Sequence, residues 1–488
     1  MGKPVATPAV GMKNYVHMAV TLAFMFLFRF LPAPEPLTPY GMAILGIFIG
    51  MIYGWTTSQR GLSWISFLAL VALGLTDYGT CGKALANLFA SETAGLLMLS
   101  MFLVGPVMEC EAGEYLIIKL LSSKLCYQKP WLFTTLIIVG MGLLAFLVSS
   151  FIIGIFMLAL FADLFKKAGY VRGDKYPTML IVGMFISMLL MGCMLPWNGW
   201  GLYCTAAFAN SSGGYMIDYG KYLIVAVVFF LVVSFGYVLL MRLMGCNVQP
   251  LREMDLSPYV DKYAAQGLNK HQKAVLISVL VMAIGCIFVA FGNGIPVIGA
   301  VLAKIGVHGV MLIAIACMLF IHIDGEPIAD IRVCAKHMQW DMLLVIASAL
   351  CLANVLTTEE TGISALMAQY VAPLLMGKSE FVFMMILAVI CLLLTNVSNN
   401  TAVMFVFMAV AGSFYANGII ENAAATLMII TFTTILGFYT PAASAFGAMI
   451  HGSECVTSGA VYKYGFVAIV FLILMIAVVL IPLCTVLF

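Results

Sequence analysis

Thr395-Asn396-Val397-Ser398-Asn399-Asn400-Thr401-Ala402 interrupts an apolar run, with residues 381–394 before it and 403–410 after it. Six of its eight side chains are polar. Small amides and hydroxyls in hydrocarbon cost free energy unless each finds a partner. A polar stretch centred in an apolar segment therefore predicts a broken helix, because non-helical backbone at membrane depth is tolerated where it lines a cavity. A kinked helix whose amides bond to neighbouring helices is the alternative. Broken helices that turn free backbone ends toward ions and anions are a recurrent transporter device.

The surrounding chain fits a membrane setting. It has 488 residues, of which 64% are hydrophobic and 9% charged, with a mean hydropathy of +1.10. A soluble core of this size would need far more polar surface, so the composition predicts an all-α polytopic membrane protein. A net charge of +2 gives no reason to expect a nucleic-acid partner. The 13 cysteines are scattered, many inside apolar segments such as those holding Cys193, Cys286, Cys317 and Cys391. None forms a CxxC pair, so neither a disulfide scaffold nor a transition-metal site is expected. The 34 methionines and 44 glycines fit close helix packing and call for no cofactor. The first apolar run ends at Pro32 without a small-residue cleavage site and reads as a retained span. No HExxH, nucleophile elbow or catalytic His/Asp pair appears, so no catalytic residue and no enzyme is expected.

Eleven apolar segments of crossing character alternate with two longer ones, 131–165 and 380–414, each of 35 residues. A simple crossing needs about 20 residues, so each long segment reads as two arms that enter and leave on one side. Lysine and arginine placement supports that reading. With the N-terminus in the cytoplasm and both long segments re-entrant, 18 of the 23 basic residues fall on the cytoplasmic side, leaving Arg29, Lys83, Lys221, Lys304 and Lys378 outside. The C-terminus then lies outside. The expected organisation is an N-terminal helix over 1–40, a first repeat over 41–245 with an inner hairpin at 131–165, a cytoplasmic linker at 246–271, and a second repeat over 272–488 with an outer hairpin at 380–414.

The halves share a motif order. Glu111-Ala112-Gly113 precedes the first hairpin and Glu360-Thr361-Gly362 the second. A shift of 250 sets Phe133 on Phe383, Ala145 on Thr395, Ser149 on Asn399, Ser150 on Asn400 and Phe151 on Thr401. Each hairpin is followed by a Pro-centred break, Leu195-Pro196-Trp197-Asn198-Gly199 in one half and Thr440-Pro441-Ala442-Ala443-Ser444 in the other. One copy starts inside and the other outside, so the repeats are inverted. Inverted repeats with paired broken helices locate a binding site near the bilayer midplane of a secondary transporter. Helix starts after the breaks favour an anion. Carbonyls freed by the breaks are hard ligands for a cation such as Na⁺. No Lys or Arg lies near any break, which makes a co-bound cation a natural partner for an anionic cargo.

These motifs resemble a known family. Asn399-Asn400-Thr401-Ala402 is similar to the Ser-Asn-Thr-Ala signature of the divalent anion/sodium symporters. The run from Phe438 to Gly447 is similar to that family's second interrupted span, and the two Glu-x-Gly elements to its Glu-Lys-Thr-Gly elements. The resemblance implies eleven spans and two hairpins, a homodimer, and an elevator-like transport domain beside a scaffold. It maps one sodium site to Thr395, Ser398, Asn400 and Ala443, and the other to Ala145, Ser149, Ser150 and Asn198. Substrate would meet Ser149, Ser150, Phe151, Asn399, Asn400, Thr401 and Ser444. Ala145 lacks the expected hydroxyl, Ser150 replaces an Asn, and Phe151 stands where the family has Thr. A symmetric clamp on a dicarboxylate is thereby weakened, and a monocarboxylate or a cargo with an apolar part becomes plausible.

Other polar residues read as structural. His322, Asp324, Glu326 and Asp330 fall in a cytoplasmic loop; Glu109, Glu111 and Glu114 lie at a boundary; His451 sits at a helix end; Trp197 and Trp200 narrow the cavity or anchor packing. The function expected is Na⁺-coupled symport of a small carboxylate across a cell membrane of bacterial inner-membrane type. An exchanger or proton-coupled permease is the alternative, and a channel or membrane enzyme is disfavoured.

Overall fold

The computed structural model describes residues 12–57, 63–89, 92–110, 129–146, 150–252, 267–291, 298–338, 340–356, 358–363, 365–366, 369, 379–441 and 443–488. The regular structure among the described residues is helical, apart from one short ladder in which His322–Ile323 pairs antiparallel with Glu326–Pro327. The all-α membrane architecture expected from composition is what the chain adopts.

Lipid and protein faces separate cleanly on Tyr219–Leu243. Asp218 caps its start by accepting from Lys221 N at 2.8 Å. Ile224, Val228, Leu231, Phe235 and Leu239 are exposed at helical spacing, while Val225, Phe229, Val233 and Tyr237 are buried. An exposed stripe this apolar would be costly in water and fits hydrocarbon. At 25 residues and about 1.5 Å each, the helix is long enough to cross. Lys175–Gly192 is the opposite case: every residue from Tyr176 to Met191 is buried, as expected of a helix that is apolar all round. Its Ser187 hydroxyl meets that of Ser234 at 3.1 Å. Among the described residues four helices are long and apolar enough to cross a bilayer alone, and nine shorter apolar helices accompany them.

Each of the two long segments holds two helical arms. The first runs through Pro130–Thr135, a π-turn at Leu136–Gly140 and Met141–Leu144, and, beyond 147–149, which lie outside the described residues, continues as Ser150–Lys167. The second pairs Glu380–Thr395 with Asn400–Ala416. Both Pro-marked segments are broken: Lys175–Gly192 gives way to Gly199–Ser211, and Ala423–Thr434 to Ala445–Gly452. Two carbonyls of the break at 193–198 are bonded by side chains: Tyr222 OH donates to Cys193 O at 2.7 Å and Thr205 Oγ1 to Pro196 O at 3.1 Å.

The halves then pack crosswise. Gly199–Ser211, from the first half, lies along Asn400–Ala416 of the second hairpin. Ser211 Oγ donates to Met408 O at 2.9 Å, and a Cβ on Gly412 would overlap Ser211. Reciprocally, Ser150–Lys167 of the first hairpin meets Ala445–Gly452, where a Cβ on Gly154 would stand 2.8 Å from Met449 Cε.

The acidic loop holds its residues in structural contacts. Asp330 caps Ile331–His337, and Lys270 pairs with Asp324 at 3.0 Å in the open.

Candidate functional site

The tip of the second hairpin is bound to the second break by five hydrogen bonds. Asn396, 1% exposed, donates through Nδ2 to Leu392 O at 2.8 Å and Leu436 O at 2.9 Å. Its Oδ1 accepts from Phe438 N at 3.0 Å and Tyr439 N at 2.9 Å. Thr440 Oγ1 donates to Asn396 O at 2.7 Å, and Thr395 Oγ1 to Thr434 O at 2.7 Å. All the amide's hydrogen-bonding capacity is used. Asn396 holds an unwound backbone segment in place by replacing the helical partners that the break removes. Sequence reasoning passed over it, although it lies inside the stretch that directed attention here.

Two carbonyls converge beside this joint. A Cβ built on Gly437 would lie 3.3 Å from Thr395 O and 3.4 Å from Ala443 O. Ala443 Cβ lies 3.5 Å from the same point, and carbonyl oxygens brought close to one small space are the kind of donor a hard cation takes. Thr395 and Ala443, separated by a helical hairpin arm and a further helix in sequence, are thus brought together. Ser398 and Asn400 sit half-buried at the tip. Asn399 caps the return helix, accepting from Thr401 N at 2.9 Å and Ala402 N at 3.3 Å. Thr401 is buried in the first turn behind it. Ser444 caps Ala445–Gly452, accepting from Phe446 N at 3.1 Å and Gly447 N at 3.2 Å while donating to Gly437 O. Its hydroxyl is therefore fully engaged within the break.

The first-half residues meet elsewhere. A cavity of ≈ 250 Å³ opens between Ser150 at the start of the hairpin's return helix, Asn198 and Gly199 at the first break, and Ile435 and Phe446 flanking the second. Trp200, Tyr203, Met188 and His337 complete much of its wall. The second hairpin's tip residues are not on that wall. Ser149 lies outside the described residues, as do Glu111 and Glu114; Phe151 is helical, in the first turn of Ser150–Lys167. Ala145 ends the outgoing arm.

No Lys or Arg is among the described residues that line the cavity. His337 lines it, with its Nε2 2.7 Å from Glu109. That hydrogen bond, with Lys336 3.8 Å away, holds the exposed Glu109 carboxyl below the usual range. No group of His, Cys, Asp and Glu capable of holding a metal occurs among the described residues. His451 Nε2 faces Tyr439 O at 2.9 Å and its ring packs 5.0 Å from Tyr462, a helix-end contact bracing the break.

A family model described as Citrate transporter matches residues 52–434. No curated protein sequence matches. Of the solved structures, 26 chains match. One is MtrF of Neisseria gonorrhoeae, whose structure is described as illuminating a class of antimetabolite efflux pumps. It is 14% identical, with 98% of this chain and 95% of that chain covered and a TM-score of 0.57. At that identity the likeness concerns the fold.

Proposed function

The chain belongs to the citrate transporter family, and from that premise we propose that it is a Na⁺-coupled symporter of a small organic anion. It is an integral membrane transporter and not an enzyme. The observation that carries the finer reading is the pair of carbonyls, Thr395 O and Ala443 O, facing the space beside Gly437. A cation held there would sit at the joint between hairpin and broken span. Its charge would partly offset an anion carried through a cavity lined by no Lys or Arg among the described residues.

The cargo is a di- or monocarboxylate; citrate enters as a candidate through the family's description. The hydrogen bonds that join the second hairpin's tip to its broken span favour their moving as one body, in an elevator-like step against a scaffold. The crosswise contacts between each hairpin and the other half's broken span favour two inverted repeats. The protein would act as a homodimer in a bacterial inner membrane, N-terminus cytoplasmic and C-terminus outside, as in the divalent anion/sodium symporters that its Asn399-Asn400-Thr401-Ala402 tip resembles. A proton-coupled permease is the second reading, favoured by His337, which lines the cavity and bonds to Glu109.

Thermal unfolding of the purified protein in NaCl and in choline chloride, with and without carboxylates, tests the coupling. Stabilisation by an anion that requires Na⁺ is expected. Anion stabilisation of equal size in choline chloride would remove the sodium site from the account.

A further inference from the structure

Pro130–Thr135 opens the first hairpin and packs against Tyr219–Leu243 and Gln249–Arg252. At that junction the Arg242 guanidinium carbon lies 5.0 Å from the centre of the Trp131 ring. The negative face of an indole holds an arginine placed over it, and the guanidinium N–H groups stay free for an acceptor. Arg242 is exposed and Trp131 half-buried; Lys129, two residues before the indole, is exposed as well. Among the described residues no acidic side chain pairs with Arg242 or Lys129. None is close in sequence either, since residues 129–146 and 235–252 contain no Asp or Glu. Two cations thus meet at one helix junction without a counter-charge.

The surface that runs on from the junction is apolar. Leu243, Leu239 and Phe235 follow one another at helical spacing, each more than half exposed, and the stripe continues through Leu231 and Val228. Leu132, beside Trp131, is exposed too. This is the face of Tyr219–Leu243 that suits hydrocarbon. Every such stripe meets lipid, but the uncompensated cations at its end select among lipids. A free phosphate would leave the stripe unused, and a lipid without net charge would leave the cations unanswered.

We propose that Arg242, Lys129 and Trp131 form a binding site for an anionic phospholipid of the cytoplasmic leaflet. The lipid phosphate accepts from Arg242 and Lys129. Trp131 sits at headgroup level, as interfacial indoles do. An acyl chain lies along Leu243, Leu239 and Phe235. The side agrees with the lysine and arginine pattern, which places Lys129 and Arg242 at the cytoplasmic surface, where anionic lipid attracts basic residues. The helix so clamped is the base of the hairpin whose other arm begins with Ser150 on the cavity wall. Lipid composition would therefore bear on how firmly that hairpin is held to Tyr219–Leu243.

The test uses the full-length purified protein in a neutral detergent. Phosphatidylglycerol or phosphatidylcholine, each brominated on its acyl chains, is titrated in, and tryptophan fluorescence and melting temperature are read. Wild type is expected to be quenched at lower lipid content, and stabilised more, by phosphatidylglycerol. Trp131→Phe keeps a ring under Arg242 and should remove most of that difference in quenching. Arg242→Gln and Lys129→Gln should each weaken phosphatidylglycerol binding about 5-fold, the worth of one basic group near an anionic surface. Both side chains are exposed, so these variants should melt close to wild type without lipid. Arg332→Gln removes one exposed charge from the loop that holds Asp324 and Asp330 and should leave binding unchanged. Equal response to the two lipids, or an equal loss in Arg332→Gln, would overturn the site. Stabilisation by inorganic phosphate alone as large as that by phosphatidylglycerol would also overturn it, leaving a phosphate site without a lipid.

Discussion

Replacing Asn396 with Ala would remove the amide that fastens the second hairpin's tip to the second break. Three of its partners lie in that break: Leu436 O, Phe438 N and Tyr439 N. Leu436 and Phe438 are both 0% exposed, so water cannot readily take over their bonds. An orphaned buried backbone group costs about 1–3 kcal/mol, which gives about 2–6 kcal/mol for these two alone. That is a large part of typical folding stabilities of about 5–15 kcal/mol. Asn396→Asp is the sharper probe. It keeps the shape and the acceptor for Phe438 and Tyr439 but sets an oxygen against the Leu392 and Leu436 carbonyls, and should be at least as damaging as Ala. Thermal unfolding reads the loss, and hydrogen exchange over residues 436–441 reports where it occurs. Fast exchange at Phe438 and Tyr439, a lowered melting temperature and lost transport are expected. A folded Ala variant with wild-type protection at both amides would refute the reasoning.

Gly437→Ala would set a methyl 3.3 Å from Thr395 O and 3.4 Å from Ala443 O; Na⁺-dependent stabilisation should be lost, at about 1–3 kcal/mol of overpacking in the ion-free protein. Preserved Na⁺ dependence would move the cation elsewhere. Glu109 has a carboxyl pKa lowered by His337, so its contribution to stability is present above the ordinary carboxylate range and fades as pH falls through the lowered value. Glu109→Gln should therefore melt below wild type near neutrality and alongside it in acid; a difference that persists in acid would contradict this. Phe151→Thr should raise the ratio of succinate to hexanoate uptake by restoring a hydroxyl beside Ser150, and an unchanged ratio would make Phe151 a packing residue.

What could be read from the residues was whatever depends on neighbours in sequence. Pro196 and Pro441 cannot continue a helix, and the helices on either side of each stop accordingly. Asn399 stands one residue before a return helix, where a cap is chemically natural. The polar interruption at 395–402 was visible as a break for the same local reason. Asn396 was passed over because its break-side partners lie 40 to 43 residues further on, and its identity as a tie appears only when both breaks are folded together. Trp200 reads as packing in sequence, and its place on the cavity wall appears only once the first break is folded. The engagement of Ser444 as a cap, which withdraws its hydroxyl from a cargo, follows from the extended backbone at that residue. His337 ends the short helix Ile331–His337, far along the chain from the first break, and nothing local links it to the cavity it lines.

Uptake of radiolabelled hexanoate and citrate into liposomes holding the purified protein, under an imposed Na⁺ gradient, tests the central claim most directly. Saturable, concentrative uptake of a carboxylate that collapses when choline replaces Na⁺ and is lost in Asn396→Ala is the predicted result. Uptake of neither anion, or uptake indifferent to the Na⁺ gradient, would contradict the account.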